Sequence, residues 1–135
     1  MASQTRSEKL KRLVKVQRHL EHMAENDLAN TTRARFDVQE NLDAVVDAIG
    51  NLDSVHQIFA GIYSGQISRL TAKDQHLEHM QKIHERKILT EKAKGDRLHE
   101  NMKEARDLED RLSDDAAIYD LVDQQLALKD SKDGH

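Results

Sequence analysis

Apolar positions in the first arm of the chain recur in steps of three, four and seven: Leu10, Leu13, Leu20, Ala24, Leu28, Val38, Leu42, Val45, Ile49 and Leu52, with Thr31 in register. That spacing puts them on one face of an α-helix. The stretch 38-42-45-49-52 alternates four and three, as a coiled-coil seam does. Leu20, Ala24 and Leu28 give two fours in succession, a stutter that would locally unwind a supercoil. Thr5 with Glu8 three residues on has the spacing of a capping box, so a helix is predicted from near Arg6.

The pattern then breaks at Ile49-Gly50-Asn51-Leu52. Gly50 can adopt the left-handed conformation that ends a helix, and Leu52 stands where such an ending takes its hydrophobic contact. Ser54 and Gln57 form a second capping box. The expected layout is helix one over about 6–49, a turn over about 50–54, a return helix over about 54–112 and a C-terminal helix over about 114–128. The last start rests on Ser113 followed by Asp114 and Asp115, acids that a helix N-terminus favours. A competing reversal lies at Gly61 and Gly65, with Thr71 and Asp74 as a weaker cap; the Gly50 break has its stop and start signals adjacent.

The return stripe runs Leu70, Leu77, Met80, Ile83, Ile88, Leu98, Met102, Ala105, Leu108, Leu112, Tyr119, Val122 and Leu126, and Gly95 lies within it. Reversal near Gly50 pairs helix one only as far as about Leu98, and the later stripe then needs another partner. Reversal near Gly61–Gly65 matches the two arms in length.

Composition narrows the fold. The 135 residues hold no proline, cysteine or tryptophan, and 34% are charged. Proline costs about 3 kcal/mol inside a helix, so its absence allows very long ones. Two Phe and two Tyr cannot fill a wide core. The expectation is all-α: an antiparallel two-helix coiled-coil hairpin with a short C-terminal helix, as a single domain over 1–135. Acids and bases interleave to a net charge of −4, which argues against nucleic acid. No apolar run is long enough to span a bilayer, and Met-Ala-Ser-Gln-Thr leads into charge rather than a signal-type apolar segment. With no cysteine, a cytoplasmic protein without cofactor is expected.

His-Leu-Glu-His-Met occurs at 19–23 and again at 76–80. The two copies are centred between Ile49 and Gly50, so a hairpin turning there would bring His19, His22, His76 and His79 level. Four imidazoles suit a tetrahedral metal. Both pairs also flank a seam leucine, which turns such side chains to solvent. Glu78, Glu85, Asp107, Glu109 and Asp110 are abundant carboxylates, but acid–base chemistry needs them desolvated in a pocket. A helical pair offers none, so no catalytic residue is expected and the protein reads as no enzyme.

Arg6, Lys9, Lys11, Arg12, Lys15 and Arg18 make the start basic; Asp114, Asp115, Asp120, Asp123, Asp130 and Asp133 make the end acidic. Candidate partner-binding residues are Leu10, Arg12, Leu13, Leu20, Leu108, Leu112, Tyr119 and Val122. The segment around Ile58, Phe59, Ile62 and Tyr63 is the most apolar in the chain, and exposed apolar groups at a tip suggest docking.

The opening Ser-Glu-Lys-Leu-Lys-Arg-Leu-Val-Lys-Val-Gln-Arg, the charged seam, the early Gly50-Asn51 break and the longer second arm together resemble the flagellar type III export stalk family typified by FliJ, with its injectisome counterpart YscO. The resemblance is architectural and carries no catalytic residue across. It implies a stalk whose terminal helices enter the central hole of a hexameric export ATPase, and which also contacts the export gate and substrate chaperones. Lys9–Leu20 and the C-terminal stripe would face the ATPase, with membranes reached only through partners. The residues alone allow two further readings: a self-associating coiled coil that forms a homo-oligomer, and a histidine-rich metal-binding protein.

Overall fold

A computed structural model describes residues 3–50 and 59–133. Two helices pack against each other: α1 is Arg6–Gly50 and α2 is Ala60–Asp133. Thr5 caps α1. Its Oγ1 accepts the Glu8 N–H at 3.2 Å and its carbonyl accepts the Lys9 N–H at 3.1 Å. The first bond satisfies an amide that an uncapped first turn leaves without an acceptor, and the second is the first regular bond of the helix.

Three sequence expectations need correction. Gly50 is the last residue of α1 and keeps a helical sign of φ, as every described glycine does. Gly61 and Gly65 lie inside α2, so no reversal occurs there. Ser113 does not begin a separate helix, because α2 continues through it to Asp133. A serine followed by acids caps a helix only where the preceding residues leave helical geometry. Here Arg111 and Leu112 precede it and Ala116 and Ala117 follow, all good helix formers with no glycine or proline among them. The Ser54–Gln57 cap and Leu52 lie outside the described residues, as does Ile58.

Burial follows a strict rule in both helices. In α1 the buried or half-buried positions include 7, 10, 14, 17, 21, 24, 28, 31, 35, 38, 42, 45 and 49. Every step is three or four, in strict alternation, so the stutter is absent. Leu20, which opened it on paper, is 42% exposed, and so is Leu13 at 51%. Val14, Gln17 and Glu21 hold the seam instead. Glu21 can sit there because Arg18, one turn back, donates to both of its carboxylate oxygens at 2.8 and 3.0 Å. Its methylenes pack while its charge stays matched. In α2 the series is 63, 67, 70, 74, 77, 81, 84, 88, 91, 95, 98, 102, 105 and 109, again without a slip. Ile83 and Leu108 fall outside it and are exposed. Apolar burial is thin: among the described residues only Ala24, Val38, Met102 and Ala105 are buried apolar side chains.

Contacts divide the chain into two compact units, residues 18–93 and residues 1–17 with 94–135. In the first, partners on α2 descend as α1 ascends. Leu28 shares a groove with Ile88, Thr32 and Arg35 bond Gln81, and Val45 shares a groove with Leu70. Arg35 is the polar centre of this unit. It donates to Asp74 at 3.0 Å and to Gln81 at 2.8 Å, with Glu78 at 3.6 Å. A two-anion, one-amide cradle satisfies most of a guanidinium, and such a layer fixes register more than it adds stability.

In the second unit the Ser7 N–H donates to Glu109 Oε1 at 3.0 Å, and the Ser7 hydroxyl donates to Oε2 at 2.5 Å. These bonds favour the ionised carboxylate. They hold Glu109 below its ordinary value, helped by nearby Arg106. A lowered folded-state value means the stabilisation is complete above the ordinary carboxylate range and disappears as the pH falls through the folded value. The Ser7 amide is therefore expected to be protected from hydrogen exchange at neutral pH and to lose protection on acidification. In Glu109→Gln the protection factor should be low at both. A variant as protected as the parent would show that Glu109 does not anchor the start of α1.

Gly61 and Gly65 have nothing within 4 Å of an added Cβ. Alanine at Gly65 should therefore stabilise α2 by about 0.8–1 kcal/mol from backbone propensity alone, and alanine at Gly61, in the first turn, by less. Thermal unfolding of the double variant checks this: an unchanged or lower melting temperature contradicts it.

Candidate functional site

The seam of the 1–17/94–135 unit ends at Glu109, against Ser7 at the start of α1. Beyond it α2 runs on to Asp133, and every residue from Asp110 to Lys132 is exposed. This segment keeps large apolar side chains all the same. Leu112 is 61% exposed, Tyr119 71%, Val122 46% and Leu126 54%. Steps of seven, three and four place these four on one face of the helix. Asp115 and Asp123, four residues either side of Tyr119, share that face. Between Ser113 and Leu128 the only charged residues are Asp114, Asp115, Asp120 and Asp123. The result is an apolar stripe in an acidic setting.

The expectation that reversal near Gly50 strands the stripe from Met102 onward is met only in part. Met102 and Ala105 are buried, and the uncovered stretch starts after Glu109. Arg35 pairs with Gln81, a pair centred on position 58 rather than between Ile49 and Gly50. Each α2 residue thus meets α1 about 17 residues later in α1 than a turn at Gly50 would give, and α1 reaches further along α2.

The same shift separates the histidine repeats. Glu78 of the second copy faces Arg35, which is 13 residues, or about 20 Å of helix, beyond His22 of the first. His19, His22, His76 and His79 are all exposed, and no group of three or more His, Cys, Asp or Glu among the described residues is placed to hold a metal. His22 faces Glu25 at 3.6 Å instead. The four-histidine site is therefore not formed.

The remaining candidates divide. Leu10 is half-buried at the seam. Arg12, Leu13 and Leu20 are exposed on α1, and Leu108 and Leu112 line a groove with Arg6 where α1 begins. Near the start of α2, Phe59 and Ile62 are exposed and Tyr63 is half-buried at the seam. Sequence reading missed Ile118, Leu121 and Leu128, exposed on other sides of the same helical end. They lie off the narrow stripe, and only the full exposure of this segment reveals them. Part of the basic start gathers in one groove on α1, where Lys9 and Arg12 stand with Gln4, Leu13 and Val16. Its signal was present in the sequence, because residues 9, 12, 13 and 16 share a helix face.

Comparison with protein-family models, with curated proteins and with solved structures finds no match to this chain. Among the described residues no helix is long and apolar enough to cross a membrane.

Proposed function

We propose that the protein is a non-enzymatic helical adaptor: an antiparallel coiled-coil hairpin whose second helix outruns the first and offers its free end to a protein partner. The observation that carries this reading is the exposed face Leu112, Tyr119, Val122 and Leu126 on a helical end where every residue from Asp110 to Lys132 is exposed. An apolar stripe at helical spacing is the element that grooves and rings of partner proteins accept. The alternating seam in both helices supports the coiled-coil half of the reading, and the opposed order of contacts in the 18–93 unit supports the antiparallel half.

Within that class, the resemblance of the opening segment and the unequal arms favours a cytoplasmic stalk of a flagellar or related type III export apparatus. Its basic α1 start and C-terminal stripe would engage an export ATPase, and the exposed Phe59 and Ile62 would meet the gate or chaperones. The test is co-purification of the intact chain with a hexameric export ATPase. Binding that is lost in Leu112→Asp/Tyr119→Asp, with helicity kept, supports the reading. No binding by the parent chain overturns the export assignment.

A further inference from the structure

We propose that a second copy of this chain covers the stripe: Leu112, Tyr119, Val122 and Leu126 of one copy lie along Leu13 and Val16 of the other, with Asp115 and Asp123 set against Lys9 and Arg12. The inference rests on reading the stripe as a docking surface and goes beyond the adaptor role, because it names an occupant that needs no export machinery.

Charge decides between possible self-pairings. Two stripes laid on each other would confront Asp115 and Asp123 with their own copies, in a segment that has four acids and no base between Ser113 and Leu128. Like-charge juxtaposition at an interface is costly. The complementary surface lies on the same unit. Lys9, Arg12, Leu13, Val16 and Gln4 line one open groove, and residues 6–18 hold six bases and one acid. Leu13 and Val16 are 51% and 58% exposed, so the groove has apolar groups to offer as well as charge.

Dimensions are compatible. From Leu112 to Leu126 the stripe covers about 21 Å of helix, and the helical part of the groove, Lys9 to Val16, covers about 11 Å, with Gln4 extending it ahead of α1. Each copy carries both surfaces. Reciprocal docking about a two-fold axis satisfies two stripes and two grooves at once and closes at a dimer.

The test uses two full-length variants at exposed positions. One is Lys9→Glu/Arg12→Glu, with the groove reversed. The other is Asp115→Lys/Asp123→Lys, with the stripe reversed. Sedimentation equilibrium should show a parent dimer that weakens with added salt, and each variant alone should dissociate at least about tenfold more readily. An equimolar mixture should recover the dimer. One of its interfaces then joins two unaltered surfaces, and the other joins two reversed ones. Circular dichroism confirms that each variant stays helical. A parent chain that remains monomeric, variants that dimerise as well as the parent, or a mixture that stays dissociated each overturn the proposal. A monomer that still binds the export ATPase defeats this inference alone. A dimer that ignores the ATPase defeats the export reading alone.

Discussion

Val38→Asp should abolish cooperative folding of the 18–93 unit at physiological temperature. Val38 is 3% exposed, among the most buried side chains described. The nearest seam base, Arg35, is already engaged by Asp74, Gln81 and Glu78. Burying an unpaired charge costs several kcal/mol, and small domains have a total stability of only about 5–15 kcal/mol. Loss of about 3–5 kcal/mol is expected, read as a collapse of the thermal melt followed by far-UV circular dichroism. Val38→Ala, which removes only packing, should cost about 2 kcal/mol and leave a cooperative transition. A Val38→Asp chain melting like the parent would show that the seam is not what holds the helices together.

Leu112→Asp/Tyr119→Asp/Leu126→Asp should do the opposite: large loss of binding with little loss of fold. All three positions lie beyond the last seam contact at Glu109 and are more than half exposed. Asp is a mediocre helix former, so the local cost is about 0.5 kcal/mol per site, confined to a segment that supports nothing else. Central apolar anchors commonly account for 2 kcal/mol or more of binding each. Association, whether with a partner protein or with a second copy, should fall at least about a hundredfold. The melting temperature of the seam should move by a few degrees at most. If association survives, the docking surface lies elsewhere, with the exposed Phe59 and Ile62 the next to test.

Both predictions lean on features that the sequence discloses unequally. Thr5 and Glu8 announced the start of α1 because capping is a local bond between neighbouring residues. The helical state of nearly everything else followed from absent proline and persistent three-four spacing. The partition between seam and surface was less visible. Leu13 and Leu20 look like core and are not, while Gln17 and Glu21 look like surface and are buried. The reason is geometric: the buried positions of each helix keep a three-four alternation, and a long polar side chain follows it more cheaply than the backbone departs from it. Pairing level was hidden as well. It depends on where Arg35 finds Gln81 across the interface, a relation between residues far apart in sequence. The misplaced histidine site and the misjudged start of the uncovered stripe both came from that single unknown. The stripe itself was legible, because Leu112, Tyr119, Val122 and Leu126 keep helical spacing in the sequence.

The unbroken passage of α2 through Ser113 has a mechanical meaning. From Ala105 to Lys132 there is neither proline nor glycine, and the backbone keeps one helical course. A load applied at Leu126 therefore travels to the Ser7–Glu109 clasp as through a crank handle, with no joint along the way to absorb it. Whatever grips the free end can twist or tug on the place where α1 is fastened.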